Sequence, residues 1–137
     1  MSSNSRFPTA VHVLTLLASE GERPVTSDYV ASSVNTNAVV IRRLLRLLQD
    51  AGLVTSTPGA TGGSRLARDP RKITLLDAYA AVAEGELFGE HSQRPNPKCP
   101  VGRQIVELLG PRLDAAEEAA KASLRRTTIA DLMSEVR

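Results

Sequence analysis

The chain has no tryptophan and few other aromatic residues: Phe7, Tyr29, Tyr79 and Phe88 are the whole set in 137 residues. A core must therefore be assembled from Leu, Val, Ile and Ala, which suits packed helices. There is one cysteine, Cys99. It cannot form an internal disulfide, and alone it cannot hold zinc or an iron–sulfur cluster. The two histidines, His12 and His91, are too far apart in sequence to form a local metal motif. No apolar run approaches the roughly 18 residues that a membrane-crossing helix needs. The opening MSSNSRFPTA has no basic stretch followed by an apolar block, so a cytoplasmic location is the expectation. No glycine-rich phosphate loop, nucleophile elbow or metal-spaced cluster is found, and no enzyme is expected.

What is present is a globular composition, 42% hydrophobic, with an uneven distribution of charge. Residues 1–73 carry nine Lys/Arg against five acids, net +4; residues 74–137 carry eight against ten, net −2. The positive part is the part that would meet a polyanion.

The apolar spacing of residues 7–19 is helical. Pro8 is expected in its first turn. His12, between Val11 and Val13, is expected to be a partly buried packing residue. Thr26 or Ser27 can cap a short second helix, with Asp28 in its first turn. Residues 35–37, Asn-Thr-Asn, make a turn.

The third helix, about residues 37–51, is the most informative segment. On a wheel, Ile41, Leu44, Leu45 and Leu48 form one stripe. Arg42, Arg43 and Arg46 fall opposite it, around Val39, and no acid lies between Asp28 and Asp50. Gly52 stops the helix. A hairpin follows: β-branched Val54–Thr57, turn residues Pro58-Gly59 and Gly62-Gly63, and a returning strand near residues 64–67. Thr74 and Asp77 have capping-box spacing before a helix ending near Gly85, as have Thr128 and Asp131 before a last short helix.

Residues 86–100 are polar, carry three prolines and read as a loop. Beyond it, Val101, Ile105, Leu108, Leu109, Leu113, Ala116, Ala120 and Leu124 recur at helical steps, and Pro111 should kink or divide that helix. Asp114, Glu117 and Glu118 are expected on its outer face, with Lys121 nearby, as solvated charge.

Helix, helix, basic helix, then a glycine-tipped hairpin is the plan of a winged helix-turn-helix. The Asn35–Asn37 turn, the arginine-bearing helix, Ala51-Gly52-Leu53-Val54, the glycine-rich hairpin and DPRKITLLDAYAAVAE resemble the Rrf-two-type winged-helix transcriptional regulators of bacteria. The likeness covers the whole chain and is strongest over residues 6–84. Asn96-Pro-Lys-Cys-Pro-Val-Gly resembles the cysteine-bearing loop that precedes the family's dimerisation helix.

The resemblance implies a mainly α chain in three parts: a DNA-binding domain over 1–84, a loop over 85–100, and a dimerisation helix with a short C-terminal helix over 101–137. It also implies a homodimer on double-stranded, palindromic DNA, with the 101–124 stripe as the interface. Thr36, Asn37, Val39, Arg42, Arg43 and Arg46 become the expected base or phosphate contacts. Thr26 and Ser27 suit a phosphate at a helix N-terminus. Gly62 and Gly63 suit close approach to DNA backbone, and Arg65 is the wing candidate. Many members hold an iron–sulfur cluster through three cysteines; here only Cys99 remains, which points to the branch without that motif and to no cofactor. Some members also carry an arginine before the wing's first glycine, where this chain has Pro58.

Cys99 has two readings, an unreactive loop thiol or a redox sensor favoured by Lys98 and a following helix N-terminus. Two other functions fit the same scaffold: a small-ligand sensor with a pocket between the winged domain and the dimer helix, and a winged helix used only for protein contact.

Overall fold

A computed structural model of the chain describes residues 3–89 and 91–137. Met1, Ser2 and Glu90, which the sequence puts in the N-terminal segment and the proline-rich loop, lie outside the described residues. The elements are α1 (Ser3–Glu20), α2 (Ser27–Val34), α3 (Ala38–Asp50), β1 (Val54–Thr57), β2 (Gly63–Leu66), α4 (Leu75–Val82), α5 (Pro100–Arg125) and α6 (Ile129–Glu135). A 3-10 turn at Pro70–Lys72 links the hairpin to α4. The fold is mainly helical, with a two-stranded antiparallel wing and a long helix near the C-terminus. No described helix is long and apolar enough to cross a membrane.

The chain divides into two compact units. The first is residues 1–84 with 124–137; the second is Gly85–Ser123.

In the first unit, α1, α2, α3, α4 and α6 enclose a core without aromatic side chains. Leu14, Leu17, Ile41, Leu44, Leu48, Leu53, Ile73 and Ile129 are its largest buried members. The stripe read from α3 is the one that is buried: Ile41, Leu44, Leu45 and Leu48 all face inward. Phe7 and Tyr79 meet edge to face at the border of this core, ring centres 5.7 Å apart.

Helix ends follow their local chemistry. Thr26 caps α2 by accepting the Tyr29 N–H. Asn35 ends α2 in the left-handed region, φ 65°, which asparagine tolerates. At the end of α3, the Leu53 N–H donates to the Leu48 carbonyl and the Gly52 N–H to that of Gln49. That pair of bonds needs the positive φ of Gly52, 77°. Thr74 with Asp77, and Thr128 with Asp131, form complete capping boxes.

Several expectations change. Helix α1 starts at Ser3, so Pro8 sits beyond the first turn and leaves one carbonyl without its helical partner. His12 is exposed rather than packed, with Nε2 2.9 Å from the Ser33 hydroxyl of α2. The last residues do not stay with the long helix. Leu124–Arg137 joins the first unit because Ile129 is fully buried there, and its N–H donates to the Ile73 carbonyl while Leu75 N–H donates to that of Thr127.

In the second unit, α5 runs unbroken through Pro111. Pro111 and Glu107 are both exposed, and Pro111 has no N–H to donate to the Glu107 carbonyl. The Arg112 guanidinium donates to the next carbonyl, Leu108, at 2.6 Å. Glu117 is not on an outer face: its side chain is 15% exposed, accepts the Leu87 N–H and lies 3.7 Å from Lys121 Nζ.

Candidate nucleic-acid interface

Helix α3 presents Val39, Arg42, Arg43 and Arg46 on the face opposite its buried stripe. All four are exposed, Val39 by 49%. Arg42 and Arg43 have no carboxylate within ion-pair distance among the described residues. Arg46 reaches Asp50 four residues on, at 3.5 Å. An exposed pair of that kind holds weakly, at about 0.3–0.5 kcal/mol, so a phosphate can displace it.

The turn before α3 fixes where that face begins. Asn35 and Thr36 both donate N–H groups to the Ala31 carbonyl, which closes α2 tightly. Thr36 is half-buried. Asn37 caps α3, its Oδ1 accepting the Val40 N–H at 3.0 Å. Its amide NH2 group is therefore the end left for an outside acceptor.

At the start of α2, the Thr26 oxygen is engaged as cap while its hydroxyl proton stays available. Ser27 is half-buried at the first helical position. Asp28 in the same turn puts negative charge at that end. It works against a phosphate there, so this end contributes less than the arginine face.

The wing pairs Val54 with Leu66, Thr55 with Arg65, Ser56 with Ser64 and Thr57 with Gly63. The linker before α2 adds an unforeseen contact: Val25 and Ser64 exchange both N–H···O bonds at 2.8 Å. This explains the glycines without DNA. A Cβ on Gly63 would lie 2.6 Å from the Val25 carbonyl oxygen, and one on buried Gly62 would collide with Thr57 and sit 2.7 Å from the Pro58 oxygen. Arg65 lies toward the base of the wing, 3.6 Å from Glu22.

Sequence reasoning passed over Arg6. It shares a shallow groove with Arg43, Val40, Leu44 and Leu47, and its guanidinium pairs with Glu84 at 2.6 Å. The signal was a basic residue at the start of α1, but the neighbour it meets is 37 positions away in sequence.

Below the wing, Asp69 accepts the Arg71 N–H and its guanidinium. Those bonds, the side-chain bond first, hold the Asp69 carboxyl at about 2 instead of 3.8. A depressed carboxylate supports the fold above its unfolded pKa and loses that support only as pH falls through the folded value. This turn therefore stays charged and closed throughout the neutral range.

In the second unit, the loop is tied to the head of α5. Asn96 accepts the Lys98 N–H through its side chain and the Cys99 N–H through its carbonyl, while Cys99 accepts the Arg103 N–H. Gly102 presses against this turn, since an added Cβ would lie 2.6 Å from the Asn96 oxygen. Cys99 is exposed at the helix start. The predicted apolar stripe of α5 splits. Ile105, Leu109, Leu113, Ala120 and Leu124 are half-buried, whereas Val101, Leu108 and Ala116 are exposed, the first two by 67% and 55%. None of the residues in α5 is fully buried.

Comparison with known proteins agrees with this fold. Residues 3–135 match the Rrf2 family model, described as an iron-dependent transcriptional regulator. YwnA of Bacillus subtilis (strain 168), whose name places it among HTH-type transcriptional regulators, is 40% identical over 97% of this chain and 98% of its own. Among solved structures, CymR of B. subtilis, titled the global cysteine regulator, has a TM-score of 0.69 at 27% identity, covering 100% of this chain and 98% of that one. T. potens IscR gives 0.68 at 27% identity, covering 100% and 88%.

The donor set here does not suit a cluster held by three thiolates. The sequence has a single cysteine, and among the described residues no three His, Cys, Asp or Glu side chains converge as metal ligands. The family and its named relatives are regulators rather than enzymes. This chain belongs to the Rrf2 family of winged-helix, DNA-binding transcriptional regulators.

Proposed function

We propose that the protein is a homodimeric repressor that reads a palindromic operator with α3 and works without an iron–sulfur cluster. The observation that carries the reading is the exposed arginine face of α3, on which Arg42 and Arg43 meet no carboxylate among the described residues. A major groove admits one helix, and an arginine there can bond guanine O6 and N7 with both arms or grip a phosphate. Phosphate contacts release counterions, and that release supplies much of the affinity. Thr36, Asn37 and Val39 stand at the same end of α3 as neighbours to the bases. Thr26 and Ser27 serve the backbone beside it.

The two-fold assembly is supported by α5. A helix without a fully buried residue, carrying exposed Val101 and Leu108, gains most by meeting a second copy. Two such subunits set two α3 helices about one DNA turn apart, near 34 Å. The wing contributes less, because its tip is uncharged and its one cation, Arg65, lies at its base.

The test is selection of bound fragments from a random DNA pool. The expected product is an inverted repeat with half-sites one turn apart, whose binding weakens steeply with salt. If no DNA is retained at about 50 mM salt, where backbone attraction is strong, the DNA-reading role is refuted and a protein-contact role takes its place.

For the signal, we propose oxidation of Cys99. The thiol is exposed at the residue that precedes α5, next to Lys98 in the chain. Peroxide would carry it to the sulfenic acid. Treatment with peroxide is expected to change operator affinity at least fivefold in the wild type and leave Cys99→Ser unaffected. Identical responses of the two proteins would refute the sensor role.

A further inference from the structure

The second unit contains a hollow of about 630 Å3 between the loop that follows Gly85 and the middle of α5. That volume is in the range of small-molecule sites, about 300–1,000 Å3. Helix α5 supplies an apolar floor of Val106, Leu109 and Leu113, and Phe88 faces it from the loop. The floor also contains Gly110, and nothing lies within 4 Å of where a Cβ would stand there. A helix-interior glycine costs stability, and here it keeps the hollow open.

The rim carries charge of both signs. Arg94 and His91 stand on it, as do Glu86 and Asp114. None of these four has an ion-pair partner among the described residues, although Lys121, about two helical turns beyond Asp114, pairs with both Glu117 and Glu118. A simple anion would leave Glu86 and Asp114 to lose water without compensation, and a simple cation would do the same to Arg94. A small zwitterion with an apolar body answers all three features of the hollow.

We propose that this hollow binds a free α-amino acid with an apolar side chain, its carboxylate toward Arg94 and His91 and its ammonium toward Glu86 and Asp114. The side chain lies on Leu109 and Leu113, over Gly110. Occupancy fastens the loop to α5 inside the second unit. Its role as an effector rests on the DNA-binding reading, whereas binding itself does not, so the experiment separates the two.

The full chain, without DNA, is melted in the presence of L-leucine, L-methionine or L-phenylalanine. At about a hundredfold excess over Kd, at least one of them is expected to raise Tm by roughly 5 °C or more. 4-Methylpentanoate and 3-methylbutylamine, each lacking one of the two charges, are expected to raise it by less than a third as much. Arg94→Gln should weaken binding about tenfold or more. Gly110→Leu should abolish the shift without lowering the melting point of the unliganded protein, because it fills open space. The proposal is overturned if none of the three amino acids moves Tm at millimolar concentration, or if the shift survives in Gly110→Leu. A protein that failed to bind DNA would still show the shift, so the two readings fail separately.

Discussion

Replacing Arg42 and Arg43 together by alanine is expected to lower operator affinity about a hundredfold or more at physiological salt. Each side chain is exposed on α3, and among the described residues neither has a carboxylate within ion-pair distance, so on the proposed reading each is free to contact DNA. A bidentate base contact carries about 1–3 kcal/mol, and loss of a phosphate contact removes about 0.9 from the slope of log affinity against log salt per site. In a dimer the loss is counted twice. The helix itself is spared, since alanine is a better helix former than arginine and the buried stripe lies on the other face. Arg46→Ala should cost less, because Arg46 already shares its charge with Asp50. Fluorescence anisotropy with the selected operator, across a salt series, checks both the affinity and the slope. Wild-type affinity in the double variant would remove α3 as the reading element.

The second large effect concerns stability. Gly62→Ala and Gly63→Ala should each lower Tm by about 10 °C, the result of roughly 2–3 kcal/mol of overpacking and strain. In both cases the new methyl meets backbone, which cannot rotate away: Thr57 and Pro58 for Gly62, Val25 for Gly63. Relief at Gly63 means parting Val25 from Ser64 and losing two hydrogen bonds. Gly89→Ala is the control, since its Cβ would enter open space, and it should melt within a degree or two of the wild type. Thermal unfolding followed by circular dichroism distinguishes them. If Gly63→Ala melted with the wild type, the Val25 bridge would not be part of the wing's support.

The contrast between these two predictions shows what could be read from the sequence. The arginine face and its buried opposite, Ile41 with Leu44, Leu45 and Leu48, are periodic features of one helix, and period alone reveals them. The capping boxes at Thr74 and Thr128 are equally local, written within four residues. The glycine pair was visible as a turn, but its reason was not. The Val25 backbone that forbids a side chain at Gly63 is 38 positions away. Glu117 shows the same limit: helical spacing marks it as surface charge, whereas a loop main-chain N–H makes it a half-buried acceptor. His12 errs the other way, since neighbouring valines suggested burial and the partner is a serine on another helix. The α5 stripe was legible as apolar, but which of its residues the chain's own loop would cover was not, because that loop has no periodicity of its own.

The route of the chain has one more consequence. It leaves the first unit at Gly85, with φ 78°, and re-enters at Leu124 within an unbroken helix. The intervening 39 residues are thus a segment inserted between two stretches that build one compact unit. Such a segment can be exchanged for another of like span while Ile129 still closes the same core.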